Sequence, residues 1–148
     1  MRLGILIAAG AMLAVSARAD ASDTVDAAAQ QFITCAGAYN WTSATLAQAG
    51  KPAASEHMRG YGRGAQTVAQ WILASEYNLA NEASPRPMGD WKDFVEVQID
   101  RETVRLAAMA EMDDQDGIRQ ILENCTALSE VQAKIINDLR KQWAPQPE

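Results

Sequence analysis

Four stretches of the chain carry apolar residues at three- and four-residue steps, the spacing of one helical face. The first runs through Val25, Ala28, Phe32, Cys35, Tyr39, Ser43 and Leu46. Ser22 or Asp23 offers an N-cap and Asp26 a favourable charge in the first turn. Gly50 followed by Pro52 is a stop signal. The second stretch starts near Pro52 and continues through Met58, Tyr61, Ala65, Val68, Ile72 and Tyr77, with Ala69 and Leu73 beside the stripe. Gly60, Gly62 and Gly64 crowd its early part, and each costs a helix about 1 kcal/mol against alanine. The pattern is therefore compatible with a kink, or with a helix that starts only after Gly64. Asn81 to Asp90, holding Pro85, Pro87 and Gly89, reads as a loop.

The third stretch spans Trp91 to Met112, with Asp90 as expected N-cap. Val95, Val97 and Ile99 alternate as a strand would. The residues from Arg101 onward favour helix, and Trp91, Val95, Val104, Ala108 and Met112 can share a stripe, so a helix is expected. The fourth opens after the acidic run Asp113 to Gly117, which suits a helix N-terminus. Ile118, Ile121, Leu122, Cys125, Leu128, Gln132, Ile135, Leu139 and Gln142 keep the helical period. Glu130 and Lys134 are spaced as a supporting pair, and Pro145 and Pro147 end the run. Four helices with mostly short connections predict an all-α fold, an antiparallel four-helix bundle of up-down-up-down order. Cys35 and Cys125 lie on the stripes of the first and last predicted helices, which are neighbours in such a bundle. One disulfide linking first and last helices is expected.

The N-terminal segment changes how that cysteine pair is read. Residues 1–19 have the layout of a secretory signal peptide. Arg2 is followed by an apolar stretch from Leu3 to Val15, and Ala17-Arg18-Ala19 precedes Asp20. Cleavage is expected after Ala19 or Ala21. The apolar run of about 13 residues falls short of the roughly 20 needed to span a bilayer. Residues 20–148 then form a single helical domain, periplasmic or secreted, and the Ala-rich signal favours a bacterial envelope. In an oxidising compartment an even pair of cysteines reads as a disulfide. Closing a loop of about 90 residues stabilises on the order of 4 to 5 kcal/mol. No CxxC spacing or partner base points to redox chemistry.

The formal net charge of −6 becomes −8 once Arg2 and Arg18 leave with the signal. Such a surface argues against nucleic acid and against an anionic membrane as partners. The sequons at Asn40 and Asn124 fall inside predicted helices and read as chance.

Candidate chemistry is sparse. His57 is the one histidine, too few for haem, dinuclear or zinc sites. His57 and Met58 with Met109 and Met112 could offer soft ligands to Cu(I), but methionines at helical spacing usually fill cores. Asp114, Asp116, Gly117 and Glu123 match four positions of a calcium loop. Met112 would stand at its first position and cannot ligate calcium. Ser43, Ser75 and Ser129 lack a glycine elbow and a second histidine. No catalytic residue, metal or cofactor is expected.

Gly60-x-x-x-Gly64 with Arg59, Tyr61 and Arg63 reads either as tight internal packing or as a docking surface, since Arg and Tyr are enriched at hot spots. Trp41, off the main stripe of its helix, is a further interface candidate. The resulting expectation is a small exported soluble helical protein that binds another protein in the bacterial envelope, as an inhibitor, an immunity protein or a small chaperone. The alternative is a carrier of a small apolar ligand or metal, with a cavity between the helices lined by Met and aromatic residues.

Overall fold

The computed structural model describes residues 21–143. The expected signal segment, its cut after Ala19, and the tail with Pro145 and Pro147 lie outside the described residues. The fold is all-α: α1 (Ala21–Gln48), α2 (Pro52–Ala80), a 3-10 turn (Met88–Trp91), α3 (Lys92–Glu111), α4 (Gln115–Ala127) and α5 (Ser129–Trp143). Among the described residues no helix is long and apolar enough to cross a membrane.

α1 is the axis of the fold. It packs against α2, α3 and α4, and from Phe32 to Tyr39 every residue except Thr34 is buried. The expected single stripe is therefore too narrow. Phe32, Cys35, Tyr39 and Ser43 are buried as the spacing predicts, and Ala29, Ile33, Ala36 and Ala38 are buried beside them. Three neighbours can crowd one helix because its middle is small: Cys35-Ala36-Gly37-Ala38. A Cβ on Gly37 would lie 2.5 Å from the Glu102 Cβ and 3.0 Å from the Thr103 backbone nitrogen of α3.

α2 runs unbroken through its three glycines. Gly62 faces α1, where a Cβ would meet the Asn40 Oδ1 at 2.7 Å, and Gly64 faces the Gln132 side chain of α5. Nothing lies within 4 Å of a Cβ on Gly60. The close approach thus uses Gly62 and Gly64 toward different helices, and the pair four residues apart does not form one packing face.

α1 ends in a Schellman motif. Gly50 has φ +70°, the Lys51 N–H donates to the Leu46 carbonyl at 2.9 Å, and the Gly50 N–H donates to that of Ala47 at 3.1 Å. At its start α1 is already helical at Ala21, so Ser22 and Asp23 sit inside the helix instead of capping it. Below the turn, the buried Ser43 hydroxyl donates to the Ser55 carbonyl at 2.9 Å and lies 2.9 Å from the Ser55 hydroxyl. This pins the start of α2 to α1.

The α2–α3 corner is tied down by Arg86. Its backbone N–H donates to the Asn78 Oδ1 at 2.7 Å, and its carbonyl accepts from the Asn78 Nδ2 at 3.1 Å. Its guanidinium lies 5.4 Å from the Tyr77 ring centre and 5.5 Å from that of Trp91, a cation–π arrangement. Its Nε bonds Asp90 at 3.2 Å. Asp90 therefore pairs with Arg86 and does not cap α3; the 3-10 turn leads into α3, with Trp91 at the N-cap position.

α3 is helical throughout, and the strand-like alternation of Val95, Val97 and Ile99 resolves into two faces. Val95, Ile99 and Leu106 are buried. Val97 is 50% exposed, Val104 69% and Met112 73%. The stripe expected through Trp91, Val95, Val104, Ala108 and Met112 is therefore split: Val95 is buried and Trp91 half-buried, whereas Val104, Ala108 and Met112 are exposed.

The expected fourth helix is two. Leu128 separates α4 from α5. Around the break, hydroxyls bond backbone carbonyls: Thr126 Oγ1 donates to Leu122 at 2.9 Å, and Ser129 Oγ donates to Thr126 at 2.7 Å. Such local bonds compete with a continuous helix. The break also has a packing reason, because α4 lies on α1 and α3 while α5 packs on α2. Gln132, buried on α5, donates from Nε2 to the Tyr61 carbonyl at 3.2 Å. Glu130 and Lys134 make no ion pair, whereas Lys141 and Asp138 pair at 3.3 Å.

Two glycine substitutions separate close approach from helix propensity. Gly37→Ala forces α1 and α3 apart and is expected to cost about 1 to 3 kcal/mol. Gly60→Ala, with open space around it, is expected to gain about 0.5 to 1 kcal/mol. Urea unfolding of both variants checks the opposite signs.

Candidate functional site

α4 is fixed at both of its ends. Cys35 and Cys125 are disulfide-bonded with Cα atoms 5.3 Å apart, and both are buried. The bond joins α1 to α4, the fourth of five α-helices among the described residues, and α5 continues beyond it. At its other end α4 starts on a true cap: Asp114 accepts from the Gly117 backbone N–H at 3.0 Å. Asp113, at φ +58°, holds the left-handed position of a second Schellman motif. There the Asp114 N–H donates to the Met109 carbonyl at 2.9 Å and the Asp113 N–H to that of Ala110 at 3.1 Å.

A surface groove lies on each flank of α4. The first, about 580 Å³, is lined by Ala27, Gln30, Gln31, Thr34 and Cys35 of α1, by Ile121, Asn124, Cys125 and Ala127 of α4, and by Leu128. The second, about 590 Å³, is lined by Trp41 of α1 and by Gln115, Ile118, Arg119, Leu122, Glu123 and Thr126 of α4. At 100° per residue, Ala27, Gln31, Thr34, Ala38 and Trp41 share one stripe of α1. α4 crosses that stripe between Thr34 and Trp41, where Cys35 and Ala38 are buried.

The two grooves differ in chemistry. Among the described residues the first has no charged lining residue. Its walls are alanines, Ile121, Leu128 and the cystine, and its polar groups are three amides and a hydroxyl. The second is bordered by Arg119 and Glu123, with one large aromatic wall. The amide rim of the first groove was not among the residues that the sequence singled out. A usable signal existed, because Gln31 and Thr34 precede Cys35 by one turn or less and Asn124 adjoins Cys125.

The candidates named from sequence fall in different places. Arg59 and Arg63 both pair with Glu56, at 2.9 Å and 3.0 Å, on one exposed face of α2. Tyr61 turns the other way. It is 36% exposed, its ring centre lies 5.4 Å from that of Tyr39, and it packs against His57 edge-on at 4.9 Å. The three residues therefore do not form one patch. Trp41 is half-buried and faces the second groove. Met58 and Met109 pack against the core, while Met112 is exposed. Asp114 is the cap of α4 and Asp116 pairs with Arg119. Among the described residues no cluster of three His, Cys, Asp or Glu side chains is arranged for a metal. Ser43 is occupied by its bonds to Ser55. Trp91 has a buried indole Nε1 without a partner among the described residues.

Burial, and then the neighbouring Tyr61, push the Tyr39 hydroxyl above the ordinary tyrosine range. The folded state holds this proton more tightly than the unfolded chain does.

No family model matches the chain, and no curated protein or solved structure matches it.

Two measurements follow from these contacts. Replacing both Cys35 and Cys125 by alanine opens a loop whose ends are 90 residues apart, and is expected to cost on the order of 4 to 5 kcal/mol. A large fall in urea midpoint, reproduced by reducing the native protein, checks this. For Tyr39, stability is fully present below pH about 10, the unfolded tyrosine value, and declines as pH rises through the folded value. Tyr39→Phe is expected to flatten that alkaline decline, read as unfolding free energy from pH 8 to 11.

Proposed function

We propose that the protein is exported and acts by binding a segment of another protein in the groove between α1 and α4, beside the Cys35–Cys125 bond. The observation that carries this reading is the pairing of apolar walls with an uncharged amide rim. Gln31 and Asn124 each offer a donor and an acceptor, and Gln30, whose Nε2 also donates to Glu102 at 3.5 Å, keeps its acceptor, which suits the backbone of a peptide segment. Apolar walls supply the burial that such contacts need. The groove's lack of charge favours recognition of main chain and apolar side chains over recognition of charge.

Export rests on the signal-like sequence of residues 1–19 and on a buried disulfide, a bond favoured by oxidising compartments. A bacterial envelope fits both. In this reading α4 and α5 together serve as the fourth leg of the expected up-down-up-down bundle. An inhibitor, an immunity protein and a small chaperone would each use a groove of this kind. We read the protein as a non-enzymatic binder without a resident cofactor.

The carrier alternative draws support from the apolar walls alone. Both grooves open at the surface, and Trp41 is the one Met or aromatic residue that lines either. The core between α1 and α2 is filled by Ala36, Ala65, Val68 and Ala69, each fully buried. These features favour a protein segment over an enclosed apolar ligand.

Site-specific photo-crosslinking tests the reading in the intact envelope. A crosslinker at Asn124 is expected to give a discrete protein adduct, and one at Lys134 on α5 is not. Gln31→Arg together with Thr34→Arg is expected to reduce the Asn124 adduct tenfold or more while leaving the unfolding midpoint nearly unchanged. Equal, diffuse labelling from both sites would overturn the reading. A small molecule that co-purifies with the oxidised protein and is lost in the arginine variant would favour the carrier instead.

A further inference from the structure

The outward face of α3 carries apolar surface that no element among the described residues covers. Phe94 is 51% exposed, Val97 50% and Val104 69%. Val97, Asp100, Arg101 and Val104 together line a shallow depression. Their spacing, i, i+3, i+4 and i+7, makes them one contiguous diamond on a helix. Val97 and Val104 point directly away from the buried stripe of Val95, Ile99 and Leu106.

Two charges border the valines from opposite sides. Asp100 lies on one flank and Arg101 on the other, because adjacent residues on a helix diverge by 100° and do not face each other. Neither has an ion-pair partner among the described residues. The nearby charges Lys92 with Glu96 and Arg105 with Glu102 are paired within α3. Asp93 extends the acidic flank, and Arg105 extends the basic one.

We propose that this face binds a second copy of the chain, with the two α3 helices side by side and parallel. A two-fold axis along the helices exchanges the flanks. It sets Val97 against Val97, Val104 against Val104, and the Asp100 flank of each copy against the Arg101 flank of the other. An antiparallel arrangement would set Asp100 beside Asp100 and Arg101 beside Arg101. The charge pattern therefore fits one orientation and opposes the other, as flanking charges do in helix pairs. This surface is separate from the α1–α4 groove, and the two proposals stand or fall independently.

Sedimentation equilibrium of the oxidised, exported protein across a concentration series tests the pairing. A reversible dimer is expected. Val104→Glu, Asp100→Arg and Arg101→Asp are each expected to weaken it tenfold or more. The double variant Asp100→Arg with Arg101→Asp is expected to restore dimerisation, because the exchanged charges again face opposite partners across the axis. All three positions are exposed, so the unfolding midpoint serves as the control for folding. Orientation is read separately from Val104→Cys: parallel pairing places the two new thiols at the axis and gives a 104–104 disulfide dimer on mild oxidation. A monomer at all concentrations, or a double variant as weak as the singles, would overturn the proposal. Cross-linking of Val97→Cys to Val104→Cys without any 104–104 product would overturn the parallel arrangement.

Discussion

The fold depends on how closely three helices can approach α1. Cys35-Ala36-Gly37-Ala38 gives that helix almost no side-chain thickness at its middle, so α3 can bring Glu102 and Thr103 against Gly37. α2 answers with Gly62, which comes up to Ala36 and Asn40. Packing at this distance buries the middle of α1, Phe32 to Tyr39, on every side but that of Thr34, whereas a surface helix of a bundle shows an apolar stripe and a polar back. Dense contact of this kind is sensitive to single carbon atoms. Larger side chains then complete the core at a greater radius: Phe32, Val68, Val95 and Leu106 are each buried.

The same constraint governs the disulfide. A bond between α1 and α4 needs the two backbones close, and the small residues around Cys35 provide that approach. The cystine fixes the end of α4, and Asp114 fixes its start. α4 is thereby held across α1 as a short strut with a groove on either flank. With its last turn held there, the chain can reach α2 only by turning at Leu128, which accounts for α5. Gln132 completes that turn by filling the space opposite Gly64 and capping the Tyr61 carbonyl.

Much of this was legible in the sequence, and the failures share a cause. Four apolar periods, the stop at Gly50 and the pairing of Cys35 with Cys125 follow from spacing, because each is a local or pairwise signal. The period of residues 118–142 continues through Leu128 without a flaw, so no apolar pattern marks the break. It coincides with the Ser129 hydroxyl bonding the Thr126 carbonyl and with the change of partner helix from α1 and α3 to α2. In α3, Val97 and Val104 look like core residues because type alone cannot distinguish a valine packed inside from one facing out. Only the position of Val95, Ile99 and Leu106 against α1 decides which stripe is inner. The grouping of Arg59, Tyr61 and Arg63 failed for the opposite reason. Closeness in sequence suggested one patch, yet helical geometry puts Tyr61 on the far side from the arginines. The amide rim of the first groove escaped notice because Gln31, Thr34 and Asn124 are ordinary surface residues until α4 is laid beside α1.

Surfaces free for partners are those that the packing of α1 leaves over. One is the trough beside α4, whose described lining is uncharged although the chain as a whole is acidic. Partner contacts there would rest on hydrogen bonds and apolar burial, which salt screens little. The other is the outer face of α3, where Asp100 and Arg101 stand on either side of two valines. Exposed charges of that kind contribute modestly to affinity and strongly to orientation, and they weaken as ionic strength rises. A binder that holds its partner in the first surface and a copy of itself on the second would therefore respond to salt at only one of them. The two surfaces share no lining residue, and that separation makes such independence possible.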